Sequence, residues 1–157
     1  MTTPITVPDL SERPFSLQVE REMTLTPAAL YLAWTRQFDR WFAAPGSVIM
    51  QGEVDTAFFF ETVYQPDAKS KPMRHPHYGR FLRLEQDRFV ELTWVTGTGG
   101  TKGTETVVTI EIQEAGDGSR IFLTHAGFPD AESRDQHEYA WPMVLEQLEQ
   151  KLGKREG

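Results

Sequence analysis

From Ser47 to Phe128 the chain reads as strand after strand, and then its period changes. Val48–Asp55, Ala57–Tyr64, His77–Glu85, Phe89–Thr96, Thr104–Gln113 and Arg120–Ala126 follow one another with short turns. Gly116-Asp117-Gly118, between the last two, is a strong hairpin signal. Beyond them Trp141, Val144, Leu145, Leu148 and Leu152 fall on one helical stripe, with Glu146, Gln147, Glu149 and Gln150 turned outward. Six successive strands and one long helix leave few solutions. The sheet must be an antiparallel meander that buries one face under the helix.

The segment before Ser47 adds a strand and two helices. Phe15, Leu17 and Val19 alternate with Ser16, Gln18 and Glu20, the period of a half-buried strand. Thr26-Pro27 then opens a helix: the threonine caps free N–H groups, and proline at the first helical position has none to lose. Leu30, Ala33 and Trp34 form its apolar face, and Phe38, Trp41 and Phe42 suggest a second short helix that ends at Ala44-Pro45-Gly46. The expected order is strand, two helices, six strands, long helix, an α+β arrangement. Residues 1–14, with Pro4, Pro8 and Pro14, read as an extended leader, 15–152 as one domain, and 153–157 as a frayed tail. Pro142 inside the last helix predicts a kink or a restart.

Composition narrows the class of function. The 157 residues contain no cysteine, which excludes disulfides, thiolate metal sites and a cysteine nucleophile. There is no asparagine either, so no N-glycosylation acceptor exists. A formal net charge of −7 disfavours a nucleic-acid partner. No apolar run approaches the ~20 residues of a membrane-spanning helix, and the N-terminus has no basic start or apolar stretch of a secretory signal. A cytoplasmic protein is the expectation.

Parity then sorts the side chains. Val90, Leu92 and Trp94 share one strand face, as do Val108, Ile110 and Ile112, and Ile121, Leu123 and His125. His137 lies one turn before Trp141, so two histidines approach one interior from opposite walls. They are read in three ways: as core histidines satisfied by backbone, as polar contacts in an apolar ligand pocket, or as an acid–base pair. Phe58, Phe59 and Phe60 cannot all face one way, so one of them is exposed or at an interface. The run Gly97–Gly103 is not a phosphate loop, because Lys102 precedes Gly103 and strands flank it; it is a hairpin loop at a pocket mouth. His75-Pro76-His77 sits beside Lys69, Lys71 and Arg74, which repel a cation, so no metal is expected. Glu61 and Glu85 are acid–base candidates only if buried.

Three stretches carry a family resemblance: Ala33-Trp34-Thr35 with Trp41-Phe42, the strand Arg88…Leu92-Thr93-Trp94, and the tail THAGFPDAESRDQHEYAWPMVLEQLEQKL at Thr124–Leu152. With the element order they carry a resemblance that spans about Phe15 to Leu152: the chain resembles the family related to the activator of Hsp90 ATPase, in the START-like or Bet v 1-like (SRPBCC) superfamily. The resemblance implies a helix-grip fold, a seven-stranded antiparallel sheet curved around a long C-terminal helix with a cavity between them. It implies a small hydrophobic or aromatic ligand in that cavity and no cofactor. A co-chaperone-like, stress-response contact is the alternative, and a cyclase-, aromatase- or hydrolase-like enzyme a third, with His125 and His137 as its catalytic candidates. The expected cavity residues are Trp34, Leu92, Trp94, Ile110, Leu123, His125, His137, Trp141 and Leu145. The expected entrance is formed by His75, His77, Gly99 and Gly100. A monomer or a homodimer is expected. Ala140 and Pro142 beside Trp141, and the long Gln65–His77 segment, depart from the family pattern; that segment reads as a lid or a partner-binding loop.

Overall fold

The computed structural model describes residues 7–64, 67–97 and 100–153. Its elements are β1 (Phe15–Met23), α1 (Pro27–Thr35), β2 (Ala57–Tyr64), β3 (Met73–Glu85), β4 (Phe89–Trp94), β5 (Thr106–Ala115), β6 (Gly118–Phe128) and α2 (Ala131–Leu152). The six strands make one antiparallel sheet in the order β1-β6-β5-β4-β3-β2. Strands β2 to β6 are successive hairpins, and β1 returns to close the far side against β6. The arrangement is α+β and helix-grip, with six strands among the described residues rather than the seven expected.

The missing strand is Val48–Asp55. Within it only Ile49 pairs, exchanging both backbone hydrogen bonds with Phe59 at 2.8 and 2.9 Å. Gly52 at φ +69° and Asp55 at φ +62° then turn the backbone out of the extended region, which no strand tolerates twice in four residues. Val48 and Met50 rest half-buried against the core while Ile49 between them is 69% exposed, so the strand alternation exists but is cut off after Met50. The segment instead runs along the outer edge of β2, where Ala44 N–H donates to the Glu61 carbonyl at 2.7 Å and Ser47 Oγ accepts from Glu61 N–H at 3.1 Å.

The second helix is likewise reduced, to a 3₁₀ turn over Phe38–Arg40. Phe42 and Ala43 both donate back to the Phe38 carbonyl, and the space before Ala44-Pro45-Gly46 is too short to repay helix nucleation. By contrast α1 starts as expected, with Thr26 Oγ1 accepting from Ala29 N–H at 3.2 Å. Helix α2 is capped by Asp130, whose carboxylate accepts from Ser133 N–H at 2.8 Å. It runs from Ala131 to Leu152 without a restart at Pro142, whose ring lies on the solvent side.

Strand β3 begins at Met73, four residues before the expected His77, and so includes Pro76. Tyr78 aims its N–H and C=O at Val95 on the β4 side. Pro76, two residues earlier, has the same orientation, and there β4 offers no partner. Its missing N–H therefore breaks no ladder bond. At the other end of the sheet β5 and β6 meet through Gly116-Asp117, with Ala115 paired to Gly118 and Gly116 at φ +55°.

The inner face of the sheet packs on an aromatic cluster. Trp34 from α1, Phe38 and Trp41 from the following turn, Phe60 from β2, Trp94 from β4 and Trp141 from α2 are all buried. Their ring centroids approach to 5.4 Å for Trp94 and Trp141, 5.9 Å for Trp34 and Trp141, and 5.0 Å for Phe38 and Phe60. Of the three consecutive phenylalanines, Phe58 and Phe60 point inward, while Phe59 stacks on Tyr78 outside, at 6.4 Å.

Candidate functional site

His125 stands on β6 opposite Val108 of β5 and Leu17 of β1, at 0% exposure. Its Nδ1 accepts the indole N–H of Trp141 at 3.0 Å, so the proton sits on Nε2. That Nε2–H meets Thr106 Oγ1 at 2.7 Å, and the threonine hydroxyl donates on to the Trp94 carbonyl at 2.6 Å. Both nitrogens are occupied. Burial, with His137 close by, pushes its pKa well below the ordinary histidine value.

His137 is placed differently, half-buried on α2 with its ring 4.9 Å from that of His125. The Ser133 carbonyl lies 2.8 Å from Nδ1, and a carbonyl can only accept, so Nδ1 carries the proton. His77 repeats this arrangement from the sheet. The register that sets it opposite Phe60 turns it inward, 8% exposed and stacked on that ring at 4.8 Å. Its Nδ1 donates to the His75 carbonyl at 2.9 Å. Burial holds its pKa down at about 4 and lowers that of His137 as well. Among the described residues neither Nε2 has a hydrogen-bond partner.

Two cavities meet at these histidines. The inner one, of about 130 Å³, is walled by Phe42, Trp94, Trp141, Ala140 and Val144, with His77 and His137 at its mouth. The outer one, of about 420 Å³, shares both histidines and continues past Thr62, Arg74, His75, Pro76, Thr96, Gly97 and Gly100. Its rim is held by a reciprocal threonine pair. Thr96 N–H donates to Thr101 Oγ1 at 2.9 Å, and Thr101 N–H donates to Thr96 Oγ1 at 2.7 Å. The space is thus apolar at its inner end and polar along its approach.

The expected site residues divide between these places. Trp94, His137 and Trp141 line the inner pocket, and His75 and Gly100 the outer cavity. His77, expected at the entrance, lines the outer cavity as well as the inner pocket, and Gly99 lies outside the described residues. Trp34, Leu92, Ile110, Leu123, His125 and Leu145 are packed in the core, at 1% exposure or less, and line neither cavity. Glu61 pairs with Arg74 at 3.1 Å, and Glu85 sits between Arg83 and Arg88, so both are engaged outside the pocket. Among the described residues no three His, Asp or Glu side chains gather to hold a metal.

Phe42, Ala140 and Val144 are additional lining residues. The signal for the last two was present: Ala140 follows His137 by three residues, and Val144 follows Trp141 by three, on one helix face.

An antiparallel sheet gripping a C-terminal helix, with a pocket where they part, is the architecture of the START-like ligand-binding and interaction modules. The chain belongs to the family described as activator of Hsp90 ATPase homolog 1-like protein, whose model matches residues 24–153. Solved structures share the fold. Protein CV1439 of Chromobacterium violaceum has a TM-score of 0.74 at 20% identity, covering 90% of this chain and 100% of that one. CalU16 of Micromonospora echinospora has a TM-score of 0.62 at 21% identity, over 87% of this chain and 75% of that one. The Aha1 dimer of Colwellia psychrerythraea, solved in solution, has a TM-score of 0.62 at 14% identity, over 90% and 98%. No curated protein matches the chain in sequence. No helix among the described residues is long and apolar enough to cross a membrane.

Proposed function

We propose that this chain is a binding module for a small apolar or aromatic molecule held between the sheet and α2. The observation that carries the reading is the inner pocket of about 130 Å³, walled by Phe42, Trp94 and Trp141 and opening past two histidines into a wider cavity. Rings and aliphatic carbons supply the contact area, and the histidines supply orientation. Saturation with a fitting ligand stabilises the folded chain by about 2.7 kcal/mol at a hundredfold excess over Kd. The test is thermal unfolding and NMR titration with toluene, phenol and larger apolar probes. A saturable rise in Tm with shifts at Trp94 and Trp141 is expected, and silence from every probe overturns the reading.

A second reading, a co-chaperone-like contact, is supported by membership of the family named for the Hsp90 ATPase activator. Pull-down against the host's Hsp90-type chaperone, with ATPase rate as readout, tests it. Absence of both binding and a rate change removes it. We further propose a cytoplasmic monomer or homodimer, to be checked by cell fractionation and light scattering.

A further inference from the structure

We infer that the inner pocket selects a single aromatic ring carrying a hydrogen-bond donor, such as a phenolic hydroxyl, over rings that carry only acceptors. The inference rests on the binding reading above and names the class of ligand.

Size comes first. Cavities of about 150 Å³ hold one benzene molecule, so about 130 Å³ admits one ring and no fused system, with larger substituents left in the outer cavity. The walls match that occupant, because Phe42, Trp94 and Trp141 present aromatic surface and Ala140 and Val144 fill between them.

Polarity comes from the two histidines. In each ring Nδ1–H is already given to a main-chain carbonyl, that of His75 for His77 and that of Ser133 for His137. Nδ1 is thereby spent, and among the described residues Nε2 is the ring nitrogen left without a partner in two rings that both line the inner pocket and the outer cavity. A neutral histidine with its proton on Nδ1 has only a lone pair at Nε2. Burial keeps both rings neutral at pH 7. The pocket mouth therefore offers two acceptors next to an apolar interior. A ligand O–H completes one of them. A carboxylate brings only further lone pairs and a charge to desolvate, and a hydrocarbon leaves both acceptors unmet.

His125 cannot substitute in this role, because its Nδ1 and Nε2 are committed to Trp141 and Thr106. The selectivity is specific to the pair His77 and His137.

The test compares toluene, phenol and benzoate on the full chain by calorimetry or NMR titration. Toluene leaves water more readily than phenol, so the quantity read is the phenol-to-toluene affinity ratio. That ratio should fall about three- to tenfold in the double variant His77→Phe/His137→Phe, whose folding is checked by its tryptophan NMR signals. In the unmodified chain benzoate should bind at least about tenfold more weakly than phenol. A ratio unchanged by the double variant overturns the inference and leaves the binding reading standing, as does benzoate binding as tightly as phenol. Failure of toluene and phenol alike to bind the unmodified chain overturns both. Should the variant fail to fold, nitrogen-15 spectra of the unmodified chain decide. Phenol, and not toluene, should shift the bare Nε2 resonances of His77 or His137; a proton already on both Nε2 atoms overturns the inference.

Discussion

Trp141 donates its indole N–H to Nδ1 of His125 across 3.0 Å, joining the C-terminal helix to the middle of the sheet. This one bond fixes the histidine tautomer and sends the proton on Nε2 to Thr106, whose hydroxyl continues to the Trp94 carbonyl. Three elements, α2, β6 and β5, are thereby linked to β4 through a buried polar chain that is satisfied at every step.

Replacing Trp141 by Phe removes the donor and strands a buried lone pair. The expected cost is roughly 1–3 kcal/mol for the unsatisfied nitrogen, in addition to lost packing against Trp34 and Trp94. Urea denaturation measures it. The double variant Trp141→Phe/His125→Leu should cost less than the sum of its parts, because the lone pair stranded by the first change is removed by the second. Strict additivity would contradict the coupling.

Acid sensitivity should appear earlier than carboxylates alone dictate. His77, His125 and His137 all have folded pKa values below the ordinary one, so the unfolded chain binds more protons than the folded chain between them. Stability is fully present above pH ~6.5 and is lost as pH falls toward the folded values, which for His77 is about 4. His77 and His125 each contribute a slope of at most about 1.4 kcal/mol per pH unit. The His77 ring faces Phe60, Phe42 and Trp94, and the nearby titratable groups are His75 and His137, none of them an anion that would offset the burial. Asp130, held at about 2 by Lys102, responds only at lower pH. Urea midpoints between pH 7.5 and 4 check this, and a flat profile down to pH 4 refutes it.

Gly79 marks a close approach between β3 and β4. A methyl group there would stand 2.1 Å from the Thr93 carbonyl oxygen and 2.8 Å from the Phe58 ring. Gly79→Ala should cost about 1–3 kcal/mol or prevent folding, read from denaturation and from loss of the His77 NMR signals. A variant as stable as the parent would mean that the two strands separate easily.

Ala140→Leu should fill the inner pocket from the helix side. Toluene affinity is expected to fall at least about tenfold while Tm holds or rises, as cavity filling predicts. Unchanged toluene binding would move the ligand out of this pocket.

The helix, the strand parity and the burial of Trp94, Trp141 and His125 were all legible because each depends on local period and face. His77 was not. Its inward orientation depends on the Phe60–His77 register, which is set by pairing and not by period, and Pro76 disguised the strand as a loop. The size of the pocket was also hidden. Whether aromatic side chains enclose space or fill it depends on how Trp34, Phe38 and Phe60 interlock, and here they fill most of it. The absent seventh strand had alternating apolar residues. What decided against it was backbone geometry at Gly52 and Asp55, which turns the chain out of the extended region just after Met50.

That failed strand has a consequence for life in a crowded solution. A free strand edge is a template on which other chains can add, and β2 is the last strand of the sheet on its side. The backbone groups of Phe59 and Glu61 that a foreign strand would seek are already occupied by Ile49, Ala44 and Ser47. Gly52 and Asp55 then bend the covering segment away before it can offer an edge of its own. A segment too irregular to extend the sheet thus stops its growth and protects the protein from aggregating along β2.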